Sequence, residues 1–326
     1  MKIVCDAHIP FFVEAVQHGW PDVSIYPMKS EEINHSAIHD ADVLVVRTRN
    51  KVDETLLRDS KVQLVCTATI GYDHIDTAYC ESHGIRWISC PGCNAQAVCD
   101  YIEEALEEVH ATGTIGIVGV GHVGSLVAKM AERRGLKVLL NDPPKKIGVS
   151  LDFSASKGLD SYGFIGQNCD IITFHTPLTK EGEYPTYHLC DEDFLSQCKP
   201  NALIINAARG GVVDEQALLR SGHPYILDTW ENEPHIHQDV LQHALRASMH
   251  IAGYSVQGKR NASQMCLDAI SNLFGLKRIE IPTSRNLENS IPGDSSPGWL
   301  SRISDTLKAN PADFEALRKS YPLRGE

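Results

Sequence analysis

Missing from this 326-residue sequence is any run of about 18 consecutive apolar residues. Its first twenty residues, MKIVCDAHIPFFVEAVQHGW, also lack a basic leader followed by an apolar core and a small-residue cleavage site. No membrane partner and a cytoplasmic location are therefore expected. Positive charge is scarce too: 30 Lys and Arg stand against 42 Asp and Glu, for a net charge of −12. That balance excludes the extended basic face that binds a phosphate backbone, so no nucleic-acid partner is expected. An anionic small molecule stays compatible, provided a few arginines focus positive potential locally. Ten cysteines are scattered singly through strand-like and helix-like segments, which excludes a small disulfide scaffold. Cys90 and Cys93 in SCPGC have CxxC spacing, but a zinc site would want a second such pair and none exists. No metal is expected.

What is present is a series of short apolar runs: KIVCD (2–6), DVLVVR (42–47), QLVCTAT (63–69), GIRWIS (84–89), TIGIVGV (114–120), KVLLND (137–142), DIITFH (170–175), ALIINA (202–207), YILDTW (225–230) and SMHIAG (248–253). Continuous runs, as opposed to alternating ones, suit strands buried on both faces, and helical spacing follows most of them. The expected class is α/β, with doubly wound parallel sheets in two domains. A helix over 94–113 carries the apolar stripe Val98, Tyr101, Ile102, Ala105, Leu106 and Val109, and should link the domains. A second stripe through Ala262, Met265, Cys266, Ala269, Ile270 and Phe274 marks a helix returning across the domain border. Beyond Ile281 the text turns rich in Ser, Pro and Gly, and only SRISDTLKANPADFEALRKSY looks helical, as a short appendage.

Chemistry enters with GVGHVG. Gly119, Gly121 and Gly124 follow an apolar strand and open a helix, and Asp142 ends the next strand. In that context the first glycine permits a tight turn, the second lets the backbone approach a pyrophosphate, and the third lets helix pack on strand. The amides around His122 and Val123 then face the phosphates. A carboxylate at Asp142 suits the ribose hydroxyls and repels a 2′-phosphate, so NAD is the expected cofactor. Later strands end in further polar groups, His175 and Thr176, Arg209, and Asp228, where open α/β sheets bind ligands.

Between Asp228 and Ser255 lie four histidines and two glutamates. His235 and His237 follow Pro234 in a loop and should face solvent, and His243 sits on a surface helix. His250 differs, for it lies in an apolar segment. Glu231 and Glu233 compete as its partner.

In the order HTPL, INAARGGVVDEQAL, LDTWENEP and HIAGYS after GVGHVG, the sequence resembles the D-isomer-specific 2-hydroxyacid dehydrogenases, with further similarity from residue 2 to about 275. The resemblance implies a flavodoxin-like substrate domain (1–92 and 251–280), an inserted Rossmann NAD-binding domain (93–250) and a truncated C-terminal dimerisation region (281–326) of a homodimer. It implies NAD-dependent oxidation of a small phosphorylated 2-hydroxy acid. Catalysis would rest on Arg209 as carboxylate anchor, His250 as acid/base and Glu233 as its partner. Cofactor contacts would come from Gly119, Gly121, His122, Val123, Gly124, Asp142, Thr176, Ala207, Ala208, Asp228 and Gly253. Substrate would be held by Arg47, Thr48, Thr69 and Tyr254. Two alternatives stay open, a related enzyme acting on an acid such as 3-phosphoglycerate and a non-catalytic NAD(H)-binding regulator on the same fold.

Overall fold

The computed structural model describes residues 1–146, 161–282 and 296–325. The chain divides into two compact units, Met1–Asn94 with the segment that starts at Ser255, and Ala95–Tyr254 with the C-terminal tail through Arg324. Among the described residues no helix is long and apolar enough to cross a membrane.

The first unit is built on β1 (Lys2–Asp6), β2 (Ser24–Met28), β3 (Val43–Val46), β4 (Leu64–Thr67) and β5 (Arg86–Ile88). They form one parallel sheet in the order β2-β1-β3-β4-β5, the flavodoxin-like order. Strand periodicity explains the apolar runs. Ile3, Cys5, Val43, Val45, Leu64 and Cys66 point to one core, while Val4, Leu44, Val46 and Val65 point to another on the opposite face. Helix Val256–Phe274 covers the first face with Ala262, Cys266, Leu267 and Ile270. Ser255 caps its start by accepting the Gly258 amide, and Gly275, at φ 65°, ends it. Strand β2 has no counterpart among the expected runs. It is a half-exposed edge strand, SIYPM, where proline is tolerated because one side of the ladder faces no neighbour.

The second unit holds β6 (Thr114–Val118), β7 (Lys137–Asn141), β8 (Ile171–Phe174), β9 (Leu203–Asn206), β10 (Tyr225–Leu227) and β11 (Arg246–Ala247). Their order is β11-β10-β9-β8-β6-β7, all parallel, so the direction of winding reverses beside β6. Helix Ala95–Glu108 buries Val98, Tyr101, Ile102, Ala105 and Leu106 against this sheet, the expected stripe. The tail docks on this unit: helices Trp299–Ala309 and Phe314–Ser320 insert Trp299, Leu300, Leu307 and Phe314 into the same core.

One expected strand is not a strand. The segment 248–253 leaves the sheet after the two residues of β11, and His250 adopts a left-handed backbone at φ 59°. Its apolar residues are buried by a turn held on polar bonds, described below.

All ten cysteines are free thiols, and nine are buried. In the CxxC pair, the Cys90 thiol meets Cys266 Sγ at 3.8 Å and points at the carbonyls of Thr67 and Ala262, each 3.3 Å away. The Cys266 hydrogen bond, then burial, push the Cys90 thiol far above its ordinary range, which suppresses the thiolate. Burial, then the charge of Asp6, likewise push Cys5 up to about 12. Burial pushes half-buried Cys198 up to about 12 as well, so a thiol reagent at neutral pH should label Cys198 slowly and the nine buried thiols not at all in the native protein, and all ten after unfolding. Rapid native labelling of Cys90 or Cys93 would contradict this packing.

Candidate active site

The three glycines of the motif have three different reasons. Gly119 turns the chain at φ 90°, where a Cβ would lie 2.8 Å from the His175 backbone carbonyl and 3.0 Å from Thr176 Cγ2. At Gly124 a Cβ would overlap the Gly119 carbonyl, so the helix packs there without a side chain. Gly121 is the opposite case: among the described residues a Cβ there meets nothing within 4 Å, which fits a backbone that a ligand can approach. Gly121 also precedes helix His122–Arg133 with no side-chain cap, so the first amides, at exposed His122 and half-buried Val123, remain donors for an anion. Asp142, just past β7, accepts the Val120 amide through Oδ2 at 2.8 Å, and Lys145 Nζ lies 3.9 Å from the same oxygen.

Opposite this turn, at the end of β8, the Thr176 hydroxyl is buried with no hydrogen-bond partner among the described residues. Buried hydroxyls are rarely left unmatched, and a bound polar ligand would satisfy this one. The open Gly121 face, the uncapped helix start, the acid at the end of β7 and this orphaned hydroxyl together fit a dinucleotide. The neighbouring His175 bonds Thr173 Oγ1 at 3.1 Å, and burial of its ring pushes its pKa down to about 3, so it stays neutral. At the end of β9, Asn206 ties the turn that presents Arg209. Its Oδ1 accepts the Ala208 amide at 3.0 Å, and its Nδ2 donates to the Arg209 carbonyl at 2.9 Å. Buried Ala207 starts that turn, and at Gly210 a Cβ would overlap the Trp230 carbonyl, which is why the turn can lie against the next strand's end.

At the end of β10 sits Asp228, 1% exposed. Its Oδ1 accepts from Ser248 Oγ at 2.6 Å and the Ile251 amide at 2.7 Å, and its Oδ2 accepts the Ala252 amide at 3.0 Å. Its carbonyl takes the His250 amide at 2.8 Å. Every one of these bonds lands on 248–252, so the buried acid dictates the left-handed turn at His250. Ser248 is held in turn by the fully buried Tyr101 hydroxyl at 2.8 Å, and its carbonyl accepts Trp230 Nε1 at 2.9 Å.

That turn brings His250 to Glu233 and not to Glu231. Nδ1 of the imidazole meets both Glu233 oxygens, at 2.9 and 3.1 Å, and Glu233 Oε1 also accepts the Trp230 amide at 2.9 Å. Burial works against the Glu233 charge, but the His250 hydrogen bond and charge, the Trp230 amide and the charge of Arg318 hold its carboxyl below the ordinary value. An ionised Glu233 on Nδ1 fixes the tautomer and leaves Nε2 as the free basic nitrogen. His235 and His237 are exposed, and His243, also exposed, bonds the Asp239 carbonyl of its own helix.

Glu231 serves another histidine. Its Oε1 accepts His188 Nε2 at 2.8 Å, while His188 Nδ1 lies 3.7 Å from Asp214 Oδ2. Among the described residues these three form the one group whose potential ligand atoms lie within 4.8 Å of each other. With a carboxylate on each ring nitrogen, the arrangement is that of an imidazole bridging two acids. Beside it, Glu215 accepts the Glu231 amide at 2.7 Å. Burial, joined by repulsion from Glu231, Glu233 and Asp214 and opposed by that amide, raises Glu215 to about 7.

The expected substrate residues occupy strand ends of the first unit, apart from Tyr254. Arg47, at the end of β3, forks onto Asp6 with Nε 2.9 Å from Oδ2 and Nη2 3.2 Å from Oδ1. Thr48 beside it is exposed. Thr69 follows β4 and bonds Thr67 Oγ1 at 2.6 Å and the Gly71 carbonyl at 2.9 Å. In the second unit, half-buried Gly253 precedes Tyr254, whose hydroxyl accepts Arg318 Nε from the C-terminal helix at 3.0 Å. Sequence reasoning missed this arginine, although it lies one helical turn after buried Phe314, on the apolar face of FEALRKSY.

Glu215 generates a pH prediction. Its raised pKa favours the folded state while it is protonated. That contribution is complete below the ordinary value of 4.5 and is lost as pH rises through about 7. Glu215→Gln should remove the loss, raising stability above neutral pH by on the order of 1–3 kcal/mol relative to its effect at pH 5. Thermal unfolding of both proteins with the same pH slope would contradict this.

The family model for the NAD binding domain of D-isomer specific 2-hydroxyacid dehydrogenases matches residues 100–260. The erythronate-4-phosphate dehydrogenase of Bacteroides fragilis is 42% identical, over 100% of this chain and 97% of its own length. That of Coxiella burnetii is 36% identical over 100% of this chain and 93% of its own. Among solved structures, the TT0316 protein from Thermus thermophilus superposes with a TM-score of 0.70 at 21% identity, covering 85% of this chain and 98% of that one. The NAD+-bound 3-phosphoglycerate dehydrogenase of Entamoeba histolytica gives 0.68 at 24% identity, covering 87% and 99%. The chain is an NAD-dependent dehydrogenase and belongs to the D-isomer-specific 2-hydroxyacid dehydrogenase family, in the branch of the erythronate-4-phosphate dehydrogenases.

Proposed function

We propose that the chain oxidises 4-phospho-D-erythronate to 2-oxo-3-hydroxy-4-phosphobutanoate, a step of pyridoxal 5′-phosphate biosynthesis, as a cytoplasmic homodimer. The observation that carries the reading is the Glu233–His250 pair at 2.9 Å, held beside the turn that presents Arg209. Full-length relatives bearing the erythronate-4-phosphate name support the choice of substrate.

Oxidation of a 2-hydroxy acid breaks the O–H and C2–H bonds and forms a carbonyl. NAD, when bound, supplies the acceptor for the hydride leaving C2. His250 Nε2 accepts the hydroxyl proton, because Nδ1 is committed to Glu233. Glu233 stays ionised and stabilises the imidazolium as it forms, for its carboxyl is held below the ordinary range. Arg209 holds the substrate carboxylate and the developing carbonyl with its planar fork. Gly119, Gly121, Gly124, the amides of His122 and Val123, Asp142, Thr176, Ala207, Ala208 and Gly253 would hold the cofactor, whereas Asp228, 1% exposed with both carboxylate oxygens committed to residues 248–252, would shape the turn beside it without reaching it. Arg47, Thr48, Thr69 and Tyr254 hold the rest of the substrate, the first of them while remaining paired with Asp6.

NAD reduction should be measured with 4-phosphoerythronate, 3-phosphoglycerate, lactate and glycerate. A clear preference for the first is expected, and equal or greater activity on another acid would overturn the substrate assignment. His250→Gln should lose roughly 10²–10⁴-fold in kcat while still binding NAD. Alanine at His235, His237 or His243 should leave turnover within about twofold, since surface changes seldom propagate. Wild-type NAD binding without turnover on any hydroxy acid would favour a regulator instead.

A further inference from the structure

We propose that Arg318, on the C-terminal helix Phe314–Ser320, is a positioning residue of the dehydrogenase site, holding Tyr254 by its hydroxyl and Glu233 by its charge. The proposal rests on the function just assigned and deepens it, since it makes the C-terminal tail part of the acid–base machinery. Three observations converge on it. Arg318 Nε donates to Tyr254 Oη at 3.0 Å, and Nη1 lies 4.0 Å from Glu233 Oε2. The side chains of Arg318 and Glu233 are only 22% and 19% exposed, so solvent screens the attraction weakly. The helix itself is anchored, with Phe314 fully buried in the core of the second unit.

A second arginine of the tail locks the same segment. Arg324, 4% exposed, donates its amide to the Tyr254 carbonyl at 3.3 Å and Nη2 to the Ala252 carbonyl at 2.5 Å, and stacks over Trp299. Residues 252–254, two positions past His250, are thus held by Asp228 at the end of β10 and by two arginines from the tail.

The physical role follows from the charges. When His250 takes a proton, Glu233 must remain ionised beside it although it is buried. Arg318 supplies a fixed positive charge on the carboxylate that the imidazole does not occupy alone. The other groups facing this cluster are the Trp230 amide, Glu215 at the start of helix Glu215–Ser221, which repels Glu233, Tyr254, and Glu315 on the arginine's own helix at 3.5 Å. Removing Arg318 therefore makes Glu233, and with it the coupled pair, easier to protonate. Tyr254 loses the donor that orients it.

The test uses the full chain with NAD and 4-phosphoerythronate across a range of pH. In Arg318→Ala the acidic limb of the kcat/KM profile should move up by about half a pH unit or more, KM should rise roughly tenfold, and NAD affinity should not change. Arg318→Lys should restore the position of the limb, because it restores the charge, but not KM, because an ammonium lacks the planar fork. Lys319→Ala, an exposed neighbour on the same helix, should match the wild type. A loss of rate in Arg318→Ala that is uniform with pH and not repaired by lysine would overturn the proposal. Hydrogen exchange of the Ile251, Ala252 and Tyr254 amides in the NAD-loaded protein gives an arm that needs no turnover, and it should quicken severalfold in Arg318→Ala. Unchanged exchange overturns the positioning role whatever the substrate; failure of the wild type to oxidise 4-phosphoerythronate overturns only the substrate assignment.

Discussion

The carboxylate of Asp228 accepts three hydrogen bonds from a single short segment, and its carbonyl accepts a fourth. A buried carboxylate is costly unless each oxygen is matched, and here the matching groups are the hydroxyl and amides of 248–252. The cheapest way to satisfy the acid is therefore to leave the sheet after β11 and wrap around it. His250 takes its left-handed backbone as a consequence, and in that turn Nδ1 reaches Glu233. Trp230, Ser248 and Tyr101 complete the scaffold from inside the core. The Glu233–His250 pair is thus set by rigid, buried groups, which is what proton transfer at a fixed distance would require.

Three glutamates crowd the same corner, and each is accommodated differently. Glu231 is matched by His188, Glu233 by His250 and Arg318, and Glu215 has an amide but, among the described residues, no cation, so burial and its neighbours raise it to about 7. Two paired carboxylates and one that retains its proton near neutrality keep the local charge bearable. The corner is also where the C-terminal tail arrives, which ties residues distant in sequence to the chemistry.

Much of this was legible in the sequence. Continuous apolar runs identified the parallel sheets because their residues alternate between two buried faces, and GVGHVG identified the glycine turn between strand and helix, with close packing at Gly119 and Gly124. The edge strand SIYPM was not legible, since an exposed edge leaves no continuous apolar signal. SMHIAG was misread as a strand because burial in a turn and burial in a sheet leave the same apolar text. The residues by themselves left Glu231 and Glu233 in competition for His250, the family resemblance chose Glu233, and the structure pairs Glu231 with His188, 43 positions away. Arg318 escaped notice for the same reason, as its partners Tyr254 and Glu233 are remote in the chain.

The central claim is that an ionised Glu233 on Nδ1 makes His250 the proton acceptor. The most direct measurement is the pH profile of kcat/KM for Glu233→Gln beside that of the wild type, on the same acid. Without the carboxylate, Nδ1 loses the partner that fixes the tautomer and the charge that faces the imidazolium, so the plateau should fall by roughly 10²-fold. A profile that keeps its height would contradict the account.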